Sequence, residues 1–244
     1  MDINGKVCLI TGSSVRVGKS IAKTLARCGG RIVVHYNSSI EQAKNTADEI
    51  TKIGGEILII KADISKKVDW INMRNEILKK WNSIDILVNN AAIFYKTPFF
   101  KTTEKDLDQF LNVNLKGVFY GCQVIGETMY GNKSGKIINI ADVSANSVWE
   151  NYIPYCISKA GVIALTKGLA KSLAPYVTVN TISPGTVLLA ENYDEDEENQ
   201  LIEKTPLKRV GQPEDIATTV KFLIQDSDFI TGATINVDGG RSLT

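Results

Sequence analysis

The sequence predicts an α/β fold: a Rossmann-type, doubly wound parallel sheet of about seven strands, with helices on both faces, in a single domain. Three observations carry this expectation. Short runs rich in Ile and Val recur along the chain, amphipathic stretches separate them, and no composition break or internal repeat marks a second unit within the 244 residues. The runs are nearly continuous in apolar residues rather than alternating, as strands read when both faces are covered.

Taken in order, the first strand is expected at Val7–Ile10, then a glycine-containing loop and a helix over Lys19–Arg27. Ile32–Tyr36 precedes a helix over Glu41–Ile53, and Ile57–Ile60 precedes Val68–Trp81. Ile84–Val88 leads to one long helix over Glu104–Met129, and Lys136–Ile140 to a helix over Ser158–Leu173. Val177–Ile182 and Thr234–Val237 complete the strands. Such alternation implies right-handed crossovers between parallel neighbours. Glu191–Gln200, ENYDEDEENQ, is dense in acid and reads first as a solvated loop or helix face. Its place after Pro184-Gly185 also suits a substrate lid at about residues 186–206.

A hydrophobic content of 43% and a charged content of 23% place the chain among soluble globular proteins. The net charge of +1 gives no electrostatic reason to expect nucleic acid or an anionic membrane as partner. No stretch approaches the roughly 20 apolar residues of a membrane span, and the N-terminus lacks a signal pattern. Cys8, Cys28, Cys122 and Cys156 form no CxxC pair, which argues for reduced, mostly buried thiols in the cytoplasm and against a metal site. His35 is the sole histidine, so Ser-His-Asp hydrolysis is not expected.

The first strand ends in Thr11-Gly12-Ser13-Ser14-Val15-Arg16-Val17-Gly18-Lys19-Ser20 and runs into a helix. Glycine in such a turn lets backbone N–H groups approach a pyrophosphate at the positive end of the helix. Five residues separate Gly12 from Gly18 where a P-loop has four, so Gly18-Lys19-Ser20 is not the end of a P-loop. Where an NAD-binding fold places an acid on the ribose, the second strand ends in Asn37, Ser38 and Ser39. With Arg16 as a cationic partner for a 2′-phosphate, this favours NADP(H).

Tyr155 and Lys159 stand four residues apart and share one helix face. A neighbouring ammonium is expected to lower the phenol pKa and make the tyrosine a usable acid/base. With these residues the chain resembles the classical short-chain dehydrogenases/reductases over essentially its whole length. The matches are Thr11-Gly12 through Gly18, Asp63, Asn89-Asn90-Ala91-Ala92, Asn114, Tyr155 with Lys159, Pro184-Gly185 and Asp238-Gly239-Gly240. The resemblance implies that Tyr155 protonates the substrate, that Lys159 holds the nicotinamide ribose, and that Asn114 supports a proton-relay water. It implies cofactor contacts from Gly12, Ser14, Arg16, Val17 and Gly18, from His35, Tyr36, Asn37, Ser38 and Ser39, and from Ala62, Asp63 and Ile64. Asn90, Ala91, Ala92, Tyr155, Lys159, Pro184, Gly185 and Thr186 complete that set. It also implies a homo-tetramer, or a dimer, built through the helix bearing Tyr155 and the one before it.

Two departures bear on the substrate. Arg16 replaces the middle glycine of the family's loop, and Asp142 replaces the serine 13 residues before the tyrosine. Both are similar to the pteridine reductases, as are His35-Tyr36, Phe94-Tyr95 and the ending from Val237 to Thr244. By that similarity Arg16, Phe94, Asp142 and Tyr155 would contact a pterin, and Phe94 would stack on it. Ser38 stands where that subgroup carries an arginine. A carboxylate only accepts hydrogen bonds, so Asp142 suits a substrate with N–H donors better than a developing oxyanion. Alternatively, Asp142 is a tolerated substitution and Ser144 or a water donates. The expected function is therefore an NADPH-dependent pteridine reductase. The alternatives are a 3-oxoacyl-thioester or general carbonyl reductase, which the segment Thr205–Ala217 fits equally, and a non-catalytic NADP-binding sensor.

Overall fold

The computed structural model describes residues 1–187 and 195–244. The apolar runs become β1 (Val7–Ile10), β2 (Arg31–Tyr36), β3 (Ile57–Lys61), β4 (Ile86–Asn89), β5 (Gly135–Ile140), β6 (Val177–Pro184) and β7 (Thr234–Val237). They form one parallel sheet in the order β3-β2-β1-β4-β5-β6-β7. The chain reverses its direction of winding between β1 and β4, so a crevice opens at their C-terminal ends, where such folds bind ligands.

The continuous apolar runs have a simple physical origin. Alternate residues of each strand feed two separate cores. Val7, Leu9, Leu87 and Ile137 pack on one face with Trp70, Met73, Ile125 and Val162, which belong to α3 (Lys67–Trp81), α5 (Gly117–Gly131) and α6 (Ile153–Ser172). Cys8, Ile10, Val88 and Ile138 pack on the other with Ile21, Ala43 and Val220, from α1 (Arg16–Arg27), α2 (Ile40–Lys52) and α8 (Pro213–Gln225).

Two predicted helices need correction. The long helix expected over Glu104–Met129 is α4 (Glu104–Phe110), a π-helical stretch over Leu111–Lys116, and then α5. A π turn shifts the phase of a helix, so the apolar faces of α4 and α5 do not form one stripe. The helix α4 starts at a capping box in which Thr103 and Asp106 satisfy each other's backbone N–H groups. The helix over Lys19–Arg27 begins earlier, at Arg16, inside the glycine loop. A further helix, α7 (Glu195–Glu203), covers part of the acidic segment, and α8 opens on Pro213 with Asp215 accepting from the Gln212 N–H at 2.8 Å. The expected lid lies partly outside the described residues. Among them, no helix is long and apolar enough to cross a membrane.

Candidate active site

The glycine turn is built by backbone crowding. Gly12 has φ 63°, and a Cβ there would lie 3.0 Å from Ala91 Cα; one on Gly18 would lie 2.3 Å from the Gly12 carbonyl oxygen. Arg16 also has a positive φ, 51°, the conformation that explains why glycine suits this position and that strains an arginine. The side chains around the turn hold its backbone. Asn90 Nδ2 donates to Thr11 O at 2.9 Å and Gly12 O at 3.2 Å, while Thr11 Oγ1 accepts from the N–H groups of Asn90 and Ala91. The N-terminus of α1 has no side-chain cap and no acid in its first turn, which leaves its positive end suited to an anion. Ser14 is buried in the turn, its carbonyl accepting from Thr46 Oγ1 at 2.9 Å; Val17 is half-buried.

At the C-terminal ends of β2 and β3, several residues expected to meet a cofactor have partners within the protein. His35 is buried; its Nδ1 accepts from the Gly12 N–H at 3.0 Å and its Nε2 is 3.1 Å from Ala62 O. Its ring therefore braces the glycine turn instead of facing the crevice, and burial lowers its pKa to about 4. Tyr36 packs against the core, and Ile64 lies within it. Asp63 Oδ1 accepts from Ser65 N and Oγ, and Lys66 stands 3.4 Å from Oδ2. Asn37 and Ser38 are exposed and Ser39 is half-buried, with no acid among them. Across the crevice Pro184 is buried, Gly185 sits so close to Asp238 that a Cβ would approach it to 2.7 Å, and Thr186 O accepts from Gly211 N.

The catalytic candidates converge where α6 meets the end of β5. Tyr155, in the first turn of α6, donates its hydroxyl to Asp142 Oδ2 at 2.9 Å. The other oxygen of Asp142 accepts from Ser144 N at 2.8 Å, so the aspartate also caps a short 3₁₀ turn. Lys159 Nζ donates to Ile140 O at 2.8 Å and lies 5.6 Å from the Tyr155 ring centroid. Tyr155 and Lys159 are buried and Asp142 is half-buried, and their titration follows from that. Burial raises Asp142, against its hydrogen bonds and Lys159, and lowers Lys159 to about 8. Burial and then the Asp142 charge push Tyr155 well above the usual phenol range. The expectation that Lys159 lowers the Tyr155 pKa is thus corrected: burial of the phenol, reinforced by the carboxylate in contact, holds it high.

Asn114 lies in the π turn and is fully buried. Its side chain clasps Ile93, accepting from Ile93 N at 2.9 Å and donating to Ile93 O at 3.0 Å, and reaches Ser158 Oγ at 3.3 Å. It anchors the loop after β4 and does not reach Tyr155. Ser144 is fully buried, and its hydroxyl oxygen has no hydrogen-bond partner among the described residues.

Sequence reasoning missed an aromatic wall. Phe94, half-exposed, stacks on Tyr152 at 4.7 Å with planes 2° apart, meets Tyr155 edge-on at 4.9 Å, and has Trp149 at 6.4 Å. The Thr97 N–H, donating to Asn151 O at 2.7 Å, ties the two loops that carry these rings. The density of aromatics just before Tyr155 was the available signal. The four thiols are free, and burial raises Cys8 and, to about 12, Cys122. Among the described residues no cluster of His, Cys, Asp or Glu could hold a metal ion.

With this geometry in hand, the relatives are informative. The family model described as enoyl-(acyl carrier protein) reductase matches residues 13–242. The chain is 37% identical to a 3-oxoacyl-[acyl-carrier-protein] reductase of Staphylococcus epidermidis, covering 96% of this chain and 98% of that one. It is 36% identical to (2S)-[(R)-hydroxy(phenyl)methyl]succinyl-CoA dehydrogenase subunit BbsD of Thauera aromatica, covering 100% and 99%. Among solved structures, a protein from Sinorhizobium meliloti 1021 described as a short-chain alcohol dehydrogenase is similar with a TM-score of 0.94 at 31% identity, covering 100% and 98%.

Proposed function

This chain belongs to the short-chain dehydrogenase/reductase family of oxidoreductases, and we propose that it uses NADPH to reduce the keto group of a 3-oxoacyl thioester or a related small ketone. The observation that carries the reaction type is the buried Tyr155 hydroxyl, 2.9 Å from Asp142, on the same helix face as Lys159. The names of the relatives, which cover nearly the whole of both chains, support the substrate class.

The residues present fit a dinucleotide. Side chains are excluded from the turn at Gly12 and Gly18, and the uncapped start of α1 suits its diphosphate. Arg16 and the neutral end of β2 support a 2′-phosphate. Lys159, with one of its three ammonium hydrogens on Ile140 O, suits ribose hydroxyls. When bound, the reduced nicotinamide supplies hydride to the carbonyl carbon.

The protein supplies the proton. Tyr155 stays protonated at neutral pH, because burial and Asp142 both disfavour its phenolate. Its O–H must turn from Asp142 to the substrate oxygen as the alcohol forms, and the carboxylate left behind keeps the Ser144 N–H. The tyrosinate left behind takes its next proton from solvent, and Asp142 accepts from the hydroxyl again once it is restored.

A second reading, a pteridine reductase, is favoured by Asp142 and by Phe94, an open ring face beside Tyr155. The relatives described above favour the ketone. An NADPH-oxidation assay with a 3-oxoacyl thioester, dihydrobiopterin and dihydrofolate separates the two. Asp142→Ser frees the tyrosine hydroxyl and adds a donor for the developing oxyanion, so ketone reduction is expected to rise roughly tenfold. Pterin turnover that collapses in Asp142→Ser, with no ketone turnover in the parent, overturns the ketone reading. Running the assay with NADH tests the cofactor preference. A homo-tetramer is the assembly we propose, through α5 and α6, where Phe119, Tyr130 and Ile157 are exposed; light scattering tests it.

A further inference from the structure

A row of buried polar groups crosses the apolar core beneath α6. In the sheet register Asn89 pairs with Asn139 and Asn139 with Thr181, so the three side chains lie side by side on three adjacent strands. Asn89 Nδ2 donates to Asn139 Oδ1 at 2.8 Å, and Asn139 Nδ2 donates to Thr166 Oγ1 at 2.9 Å. Thr181 Oγ1 donates to the same oxygen at 2.8 Å, and Thr166 passes its own proton to Val162 O at 2.9 Å. Donors and acceptors alternate consistently, and Asn139, Thr166 and Thr181 have no exposed surface.

We infer that Thr166, gripped by Asn139 and Thr181, is a positioning residue that fixes the catalytic Lys159 against the sheet. Thr166 and Lys159 are seven residues apart on α6, about two turns, and so face the sheet together. The helix is joined to neighbouring residues of β5 at both points: Thr166 to the Asn139 side chain, Lys159 Nζ to Ile140 O at 2.8 Å. Around the row the packing is apolar, with Val162, Ile125 and Ile137. Apolar contacts tolerate sliding and repacking, whereas directional hydrogen bonds such as those joining Asn139, Thr166 and Thr181 specify one register. A valine at 166 would fill the same space without setting that register, so filling the core does not by itself call for a hydroxyl.

The inference rests on the assignment of Lys159 to the proposed reaction, and its test does not need the substrate. In protein carrying 13C-labelled lysine, the signal absent from Lys159→Met is followed by NMR as pH is raised. The parent midpoint near 8 comes from burial. Among the described residues, Asp142, from the loop after β5, and Tyr155, on its own helix, are the titratable groups that face it. In Thr166→Val the loosened helix admits water, so the midpoint moves upward by roughly one unit. Thr166→Ser, which keeps the hydroxyl, holds the parent midpoint. With the ketone, Thr166→Val lowers kcat roughly ten- to hundredfold and changes KM little. A folded Thr166→Val with the parent midpoint overturns the inference, even if it melts earlier. A shifted midpoint in a protein that reduces no ketone upholds it and removes the proposed substrate instead.

Discussion

The glycine turn after β1 and the cluster after β5 sit at the same end of the sheet but are made of different material. In the turn the working parts are backbone N–H groups and empty space, and side chains such as Asn90 and His35 only hold the backbone in place. In the cluster the working parts are three titratable side chains, the half-buried Asp142 and the buried Tyr155 and Lys159. One region depends on atoms that are absent, the other on charges that burial retunes. The turn is therefore most vulnerable to gaining an atom, and the cluster to losing one.

The largest expected effect comes from removing a single oxygen. Tyr155→Phe takes away the proton donor but leaves the turn intact, so kcat falls roughly 10³-fold while NADPH affinity is retained. Steady-state rates and a fluorescence titration with NADPH measure the two quantities. Retained turnover would mean that Asp142 or a water protonates the substrate without the tyrosine. The opposite change is Gly18→Ala, whose methyl would lie 2.3 Å from Gly12 O and 2.6 Å from Asn90 Nδ2. Neither neighbour can yield without moving the turn, so NADPH binding weakens roughly a hundredfold. Calorimetry that finds parental affinity for this variant removes the turn from the cofactor site.

The same contrast explains what the sequence discloses. The strands were legible because the central ones are buried on both faces, so nearly every residue along them had to be apolar. Tyr155 and Lys159 were legible because helical spacing sets them on one face and the other motifs accompany them in order along the chain. The electrostatics between them were not, since Tyr155 is shifted first by burial and then by Asp142, brought into contact only by the packing of α6 on β5. The π turn at Leu111–Lys116 was hidden because its sequence, LNVNLK, holds no proline or glycine to break a helical reading. The aromatic wall needed the loops after β4 and β5 to meet, which the Thr97–Asn151 hydrogen bond records. His35 was read as facing the cofactor by analogy, and only the fold turns its ring toward Gly12.

His35 gives the smallest effect and joins the two halves of the comparison, since a titratable group here guards a backbone turn. Its Nδ1 must stay unprotonated to accept the Gly12 N–H, which assigns the proton to Nε2, facing Ala62 O. The folded pKa of about 4 lies below the ordinary 6.5, so in acid the unfolded chain takes up a proton that the folded chain refuses. The stability at stake is present above about pH 6.5 and is lost as pH falls toward the folded value; by about pH 5 the loss is about 2 kcal/mol. His35→Gln keeps an acceptor for Gly12 but cannot titrate. Urea unfolding near neutrality and near pH 5 should show the parent losing about 2 kcal/mol more than the variant over that interval. Equal losses would mean that carboxylates elsewhere set the acid sensitivity and that the His35 ring tolerates its proton. A larger loss in the variant would mean that the glutamine fails to hold the turn, making ring shape, not protonation, the property that matters at this position.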